Sequence, residues 1–179
     1  MPGDRTPRVR DARPEDRDAV RALTLRAYGE YAAVMPAEAF APLDAAVRAA
    51  LDTDEPAERI VAECDGAVVG SVMLFAPASD AYGGLAGAPA WPELRLLAVS
   101  PEARGTGVGE ALVAECVRRA RAAGAAELGL HTSRSMRAAV RLYTRLGFVR
   151  APAHDFQPPG AELVEGYRLP LGRPLTSAG

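Results

Sequence analysis

The sequence predicts a mixed α/β fold built around a central, partly parallel sheet. Two observations carry this expectation. Along the 179 residues, strand candidates come first and then alternate with helices. An apolar strand, Leu94 to Val99, also runs through a glycine-rich loop straight into a helix that begins at Val108.

Arg8 to Ala12 is a short strand candidate. Pro14 sits where a first helical turn tolerates proline, and Glu15 and Asp16 favour a helix N-terminus. Val20, Leu23, Leu25 and Ala27 form the apolar side of that helix, with Tyr28, Tyr31 and Met35 after it. Pro36 introduces a second helical stretch near Glu38 to Leu51. Arg59 to Glu63 and Val68 to Phe75 are strands around Asp65-Gly66, a strong hairpin signal. Ala76 to Ala90 is a loop rich in Ala, Gly, Ser and Pro. Beyond the strand at 94–99, Val108 to Ala123 is a helix ending at Gly124, and Glu127 to His131 is a strand. Met136 to Leu146 is a helix stopped by Gly147, a residue able to take positive φ. Phe148 to Ala151 and Glu165 to Leu169 are closing strands. Residues 1–170 read as one domain and 171–179 as a frayed tail.

Hydrophobic residues make up 49% and charged residues 25%, which excludes a disordered or fibrous chain. No apolar run approaches the ~18 residues needed to span a membrane. The charged stretch Met1 to Arg13 is unlike a signal peptide. A net charge of −2 argues against nucleic-acid binding by bulk charge. All 21 basic residues are Arg; Lys and Asn are absent and Ile60 is the single Ile. The missing residues use AT-rich codons, which points to a GC-rich, bacterial genome. Cys64 and Cys116 are too few and too far apart for a disulfide framework or a zinc site, so no metal is expected. A reducing cytoplasm is the expected compartment.

The most informative segment is Arg104-Gly-Thr-Gly-Val-Gly109 between strand and helix. Glycine lets backbone approach a ligand, and a helix N-terminus adds partial positive charge. Together they make a cradle for a pyrophosphate. Three glycines so close to a helix start cost about 1 kcal/mol each relative to Ala, which argues against a merely structural turn. A P-loop would need Gly-Lys-Ser/Thr, and Lys is absent. A dinucleotide fingerprint would need glycine at 110, where Glu110 stands.

Arg104-Gly-Thr-Gly-Val-Gly109 matches the Arg/Gln-x-x-Gly-x-Gly/Ala signature of the GNAT N-acetyltransferase superfamily. Ala139-Val-Arg-Leu-Tyr143-Thr-Arg-Leu-Gly147-Phe148 resembles that family's Ala-x-x-x-Tyr-x-x-x-Gly-Phe segment. The order of elements from Arg8 to Leu169 follows the family fold. The resemblance implies a mostly antiparallel sheet with one parallel pair at the cofactor strands, flanked by about four helices. It implies acetyl-CoA as donor. The pyrophosphate would bind at Arg104, Gly105, Thr106, Gly107, Val108 and Gly109, with Glu110 closing the cradle. The pantetheine arm would pair with the backbone of Leu97, Ala98 and Val99 like an added strand. Met136 stands where the family often has Asn.

Amide formation from a thioester needs a neutral amine, a polarised carbonyl and a proton for the leaving thiolate. A lysine-like amine has a pKa of about 10.4, so a base or desolvation must remove its proton. Tyr143 lies on the helix face of Met136, Ala139 and Leu146. Spacing alone leaves it a core aromatic or an acid; the resemblance implies the acid. The backbone N–H groups of Ala98 and Val99 are the implied carbonyl polarisers. Glu93 opens the cofactor strand and is the candidate base, with His131, His154 or no base at all as alternatives. Cys116 has core spacing with Leu112 and Ala120. Tyr28, Tyr31, Met35 and the loops 76–90 and 151–163 are the expected acceptor groove.

The sequence therefore predicts an acetyl-CoA-dependent N-acetyltransferase. Its acceptor is a primary amine of a small molecule or a peptide N-terminus, attacked directly in a ternary complex. A longer acyl donor is the alternative within the class. A catalytically idle acyl-CoA-binding sensor or interaction module is the alternative from another class. No nucleic-acid or membrane partner is expected. Family members often dimerise, so a homodimer is one expected assembly.

Overall fold

The structure is a computed structural model describing residues 6–79, 82, 84–87 and 89–172. Its strands are β1 (Arg8–Asp11), β2 (Ala57–Cys64), β3 (Ala67–Phe75), β4 (Glu93–Val99), β5 (Glu127–Ser133), β6 (Val149–Arg150) and β7 (Val164–Pro170). They form one sheet in the order β1-β2-β3-β4-β5-β7-β6. Every neighbouring pair is antiparallel except β4 and β5. The helices are α1 (Arg17–Gly29), α2 (Ala37–Leu51), α3 (Val108–Ala122) and α4 (Arg137–Arg145). This is the mixed sheet with one parallel pair that the sequence leads one to expect.

The local reasons follow the residues. Asp65 and Gly66 both take positive φ, 51° and 80°, as a two-residue hairpin requires. The chain after Pro14 makes a 3-10 turn over Pro14–Asp16 before α1 begins at Arg17, three residues later than the proline suggests. Asp16 is the reason. Its buried carboxylate accepts from the Arg13 N–H and pairs with Arg10 on β1, which pins this turn to the sheet edge.

Side chains alternate across the sheet. On β3, Val72 and Leu74 face α3, while Met73 and Phe75 face α2. On β4, Leu94 joins the α3 side but Leu96 joins the other. A β-bulge causes this reversal: the β3–β4 register shifts at this point and Leu96 takes φ 53°. Gly70 on β3 sets the height of α3. A Cβ there would meet Val108 Cγ1 at 2.7 Å, so only glycine lets the first turn of α3 lie on the sheet. Cys116 is buried beneath α3, and burial pushes its thiol up to about 12, as befits a core residue.

Leu171, expected in a frayed tail, is buried in the α3 core, and its N–H donates to Ala126 O. The ordered chain thus runs past 170. The rest of the expected tail, 173–179, and residues 80, 81, 83 and 88 of the loop at 76–90 lie outside the described residues. Among the described residues no helix is long and apolar enough to cross a membrane.

Candidate active site

The parallel pair β4–β5 has a single register match, Glu93 with Gly129. Past it, the edge of β4 toward β5 has no strand partner among the described residues. A cleft of about 1490 Å³ opens there. Leu97, Ala98, Val99, Arg104, Gly105, Thr106, Gly107, Val108, Gly109 and Glu110 all line it. The residues expected to hold the cofactor thus line one and the same cleft.

Gly107 caps α3 with φ 86°, and Gly105 takes φ 73°. No side chain caps the helix, so the first N–H groups of α3 remain unclaimed by a cap. Thr106 Oγ1 donates to Ala103 O and closes the loop on itself. Such a helix start suits an anion. Four arginines near α4 strengthen that reading: Arg134, Arg137, Arg141 and Arg145 line the same cleft. Arg134 pairs with Glu165 and Arg145 with Glu110. Arg137 and Arg141 form no ion pair with another described residue and stand one helical turn apart. Sequence reasoning missed these arginines, although their spacing of four residues on a predicted helix was readable. Arg104 itself pairs with Glu30 across the cleft at 2.6 Å. An open strand edge beside a cationic helix start fits an extended polyamide chain ending in phosphates.

A second cavity of about 560 Å³ adjoins the first. Tyr28 and Glu162 line both cavities, so they mark the junction. Met35, Tyr82, Leu85, Phe156 and Pro158 line the second cavity, as the expected groove requires. Tyr31 does not; it lines the cofactor cleft, with its ring 5.9 Å from that of Tyr28. The missing wall is α2, which supplies Leu43, Ala46, Val47 and Ala50. Met136 lines the second cavity, and Thr132 Oγ1 donates to its Sδ at 3.5 Å.

The proposed base needs correction. Glu93 is 3% exposed and lines neither cavity. Its Oε1 accepts from Trp91 Nε1 at 3.3 Å, and its Oε2 lies 2.9 Å from His131 Nδ1. Both oxygens are therefore committed, and the residue positions His131. His131 Nε2 lies 2.8 Å from His154 O, so both ring nitrogens are occupied and His131 is no free base either. The ring of His154 packs on Trp91 and lines neither cavity. Tyr143 is also buried, packed edge-on against Phe148, and lines neither cavity. Burial and nearby tyrosines hold its pKa well above the usual phenol value, so its hydroxyl keeps its proton.

Sequence reasoning also missed Glu162. Ser135 Oγ donates to its Oε1 at 2.9 Å. Its Oε2 is buried and has no hydrogen-bond partner among the described residues. Glu162 sits in a loop without periodicity, so no pattern singled it out.

The acetyltransferase (GNAT) family profile matches residues 18–148. The chain belongs to the GNAT acetyltransferase family. A mycothiol acetyltransferase from Cellulomonas flavigena is 32% identical over 161 residues, which is 89% of this chain and 45% of that protein. Another, from Sanguibacter keddieii, is 35% identical over 108 residues, 60% of this chain and 33% of that protein. The chain thus spans less than half the length of the curated relatives it matches. GNAT structures share the fold. One from Brucella melitensis in complex with acetyl-CoA aligns at TM-score 0.58 and 24% identity, covering 96% of this chain and 92% of that one. The ribosomal-protein-S18-alanine N-acetyltransferase of Escherichia coli aligns at TM-score 0.63 and 18% identity, covering 97% and 99%. As a GNAT acetyltransferase, the chain carries its signature loop on the cleft described above.

Proposed function

We propose that this protein moves the acetyl group of acetyl-CoA to a primary amine while both are bound. The observation that carries this reading is the meeting of two cavities at Tyr28 and Glu162. One cavity suits a phosphorylated, extended donor; the other suits an acceptor. Neither cysteine lines either cavity, which supports direct attack over a cysteine-bound acetyl enzyme. The single domain acts in the bacterial cytoplasm, and the mycothiol acetyltransferase relatives support a small-molecule acceptor.

Bound acetyl-CoA supplies an activated acetyl thioester. The chain supplies the rest. The start of α3 and the cleft arginines hold the phosphates. The open edge of β4 aligns the arm, and the N–H of Val99, which points away from β3 because its neighbours Ala98 and Ser100 face β3, polarises the carbonyl. Tyr143 lines neither cavity, but it stands on α4 next to Leu142 and one turn from Ala139, which line the donor cleft, and this proximity makes it the candidate proton donor for the leaving thiolate.

A panel of primary amines with acetyl-CoA, followed by release of free thiol, tests this. Thiol release that requires an amine, with no acetylated protein in its absence, is the expected result. Tight CoA binding with no turnover on any amine would identify an idle acyl-CoA module instead.

A further inference from the structure

We infer that the acceptor is a primary amine with an apolar body, and that Glu162 docks its nitrogen and takes its proton. This rests on the N-acetyltransferase reading above.

Three observations lead here. First, Glu162 is the carboxylate shared by both cavities, so it stands where donor and acceptor must meet. Second, its state is unusual. Oε1 is oriented by Ser135, while Oε2 is buried with no partner among the described residues. A buried carboxylate oxygen without a hydrogen bond is costly, and a ligand N–H would satisfy it. Third, the rivals are spent. Glu93 and His131 use their polar atoms on each other and on Trp91 and His154. The Tyr82 hydroxyl is likewise buried with no hydrogen-bond partner among the described residues, but Tyr82 lines the second cavity and not the cofactor cleft, and it keeps its proton because burial raises its pKa far above the usual value.

The second cavity decides the rest of the acceptor. Met35, Leu43, Val47, Leu85 and Phe156 give it a mostly apolar lining. About 560 Å³ is the size of a small-molecule site. A polyhydroxylated amine would leave hydroxyls unpaired against that lining, while an aryl or alkyl body would fill the cavity.

The protons balance as follows. The ammonium gives one proton to Glu162 Oε2, which later returns it to solvent. The neutral nitrogen forms the new C–N bond as the C–S bond breaks. Tyr143 protonates the departing sulfur, and the second proton lost by the nitrogen restores the phenol. The net products are the amide, free CoA thiol and one proton.

The test compares phenethylamine with glucosamine, using wild type, Glu162→Gln and Ala46→Phe. Ala46 is an exposed residue on the cavity wall, so the larger ring narrows the cavity and leaves the core intact. Wild type should favour phenethylamine by at least 30-fold in kcat/KM, about 2 kcal/mol. Glu162→Gln should lower kcat/KM for phenethylamine at least 100-fold, with CoA affinity by calorimetry within threefold. Ala46→Phe should lower kcat/KM for phenethylamine at least tenfold more than it lowers kcat/KM for n-propylamine. A wild-type preference for glucosamine, or a Glu162→Gln enzyme within threefold of wild type, overturns the inference. If wild type releases thiol with no amine at all, the N-acetyltransferase reading itself fails.

Discussion

Tyr143 keeps its proton because nothing around it favours a phenolate. Burial comes first among the causes, and Tyr28, Tyr82 and Tyr31 add to it. The phenolate of such a residue is a stronger base than a thiolate, so the phenol can give its proton to the sulfur only as the attacking nitrogen's proton replaces it. Tyr143→Phe removes that proton and keeps the ring against Phe148. General acid catalysis is worth ~10²–10⁴ in rate. We expect kcat to fall at least ~30-fold while CoA affinity and melting temperature hold, measured by thiol release, calorimetry and thermal unfolding. A near-normal kcat would make Tyr143 a packing residue. At this scale the sequence was half legible. Tyr143 and Glu93 stand out by position in a motif or on a strand. The partners of Glu93 do not, because His131 lies 38 residues away and meets it only through the β4–β5 pairing. Glu162 is invisible for a similar reason: its neighbour Ser135 is 27 residues distant.

The strand–loop–helix unit from β4 to α3 was readable almost residue by residue, since its glycines sit where positive φ and a helix start coincide. The bulge at Leu96 was not. A leucine there advertises no left-handed backbone, and holding one costs ~1–3 kcal/mol that only the surrounding sheet can offset. The arm of α4 carries a separate expectation. Arg137 and Arg141 on α4 line the cleft without an ion-pair partner among the described residues. They are placed to hold a phosphate group. Changing both to Ala should weaken CoA binding about 3–10-fold and dephospho-CoA binding less than twofold, in line with exposed charge pairs. Calorimetry at two salt concentrations reads this. Equal losses for both ligands would place the arginines elsewhere on the cofactor.

The molecule as a whole is braced at both ends of the sheet by depressed carboxylates. Arg10, with help from the Arg13 N–H, holds Asp16 at about 2. Arg150, with the Gly166 N–H, holds Asp155 at about 2. The ordinary value is 3.8, so the unfolded chain binds these protons first. Their stabilisation is present above about pH 4 and is lost as pH falls toward 2. Melting temperature should drop steeply over that window. Asp155→Asn should flatten part of the drop, because the replaced group no longer titrates; an unchanged acid slope would remove Asp155 from the account. Overall chain order and the mixed sheet were legible because local patterns specify them. The α2 wall of the second cavity was not, because a helix's choice of neighbour is a tertiary fact.

The lone register pair between β4 and β5 leaves the sheet as two panels, β1–β4 and β5-β7-β6, joined at Glu93 and Gly129 and backed by α3. Amides along the open margin of β4 therefore lack the shielding that interior strands enjoy. A ligand laid into that gap acts as a splint across the two panels, and its binding energy becomes resistance to opening. At a ligand concentration of 100 Kd this is about 2.7 kcal/mol. Amide hydrogen exchange over Leu97 to Val99 should then slow by up to about 100-fold on addition of CoA, while the β2–β3 hairpin, already paired on both sides, should scarcely change. The two panels would exchange as separate cooperative units in the free protein and as one unit in the complex.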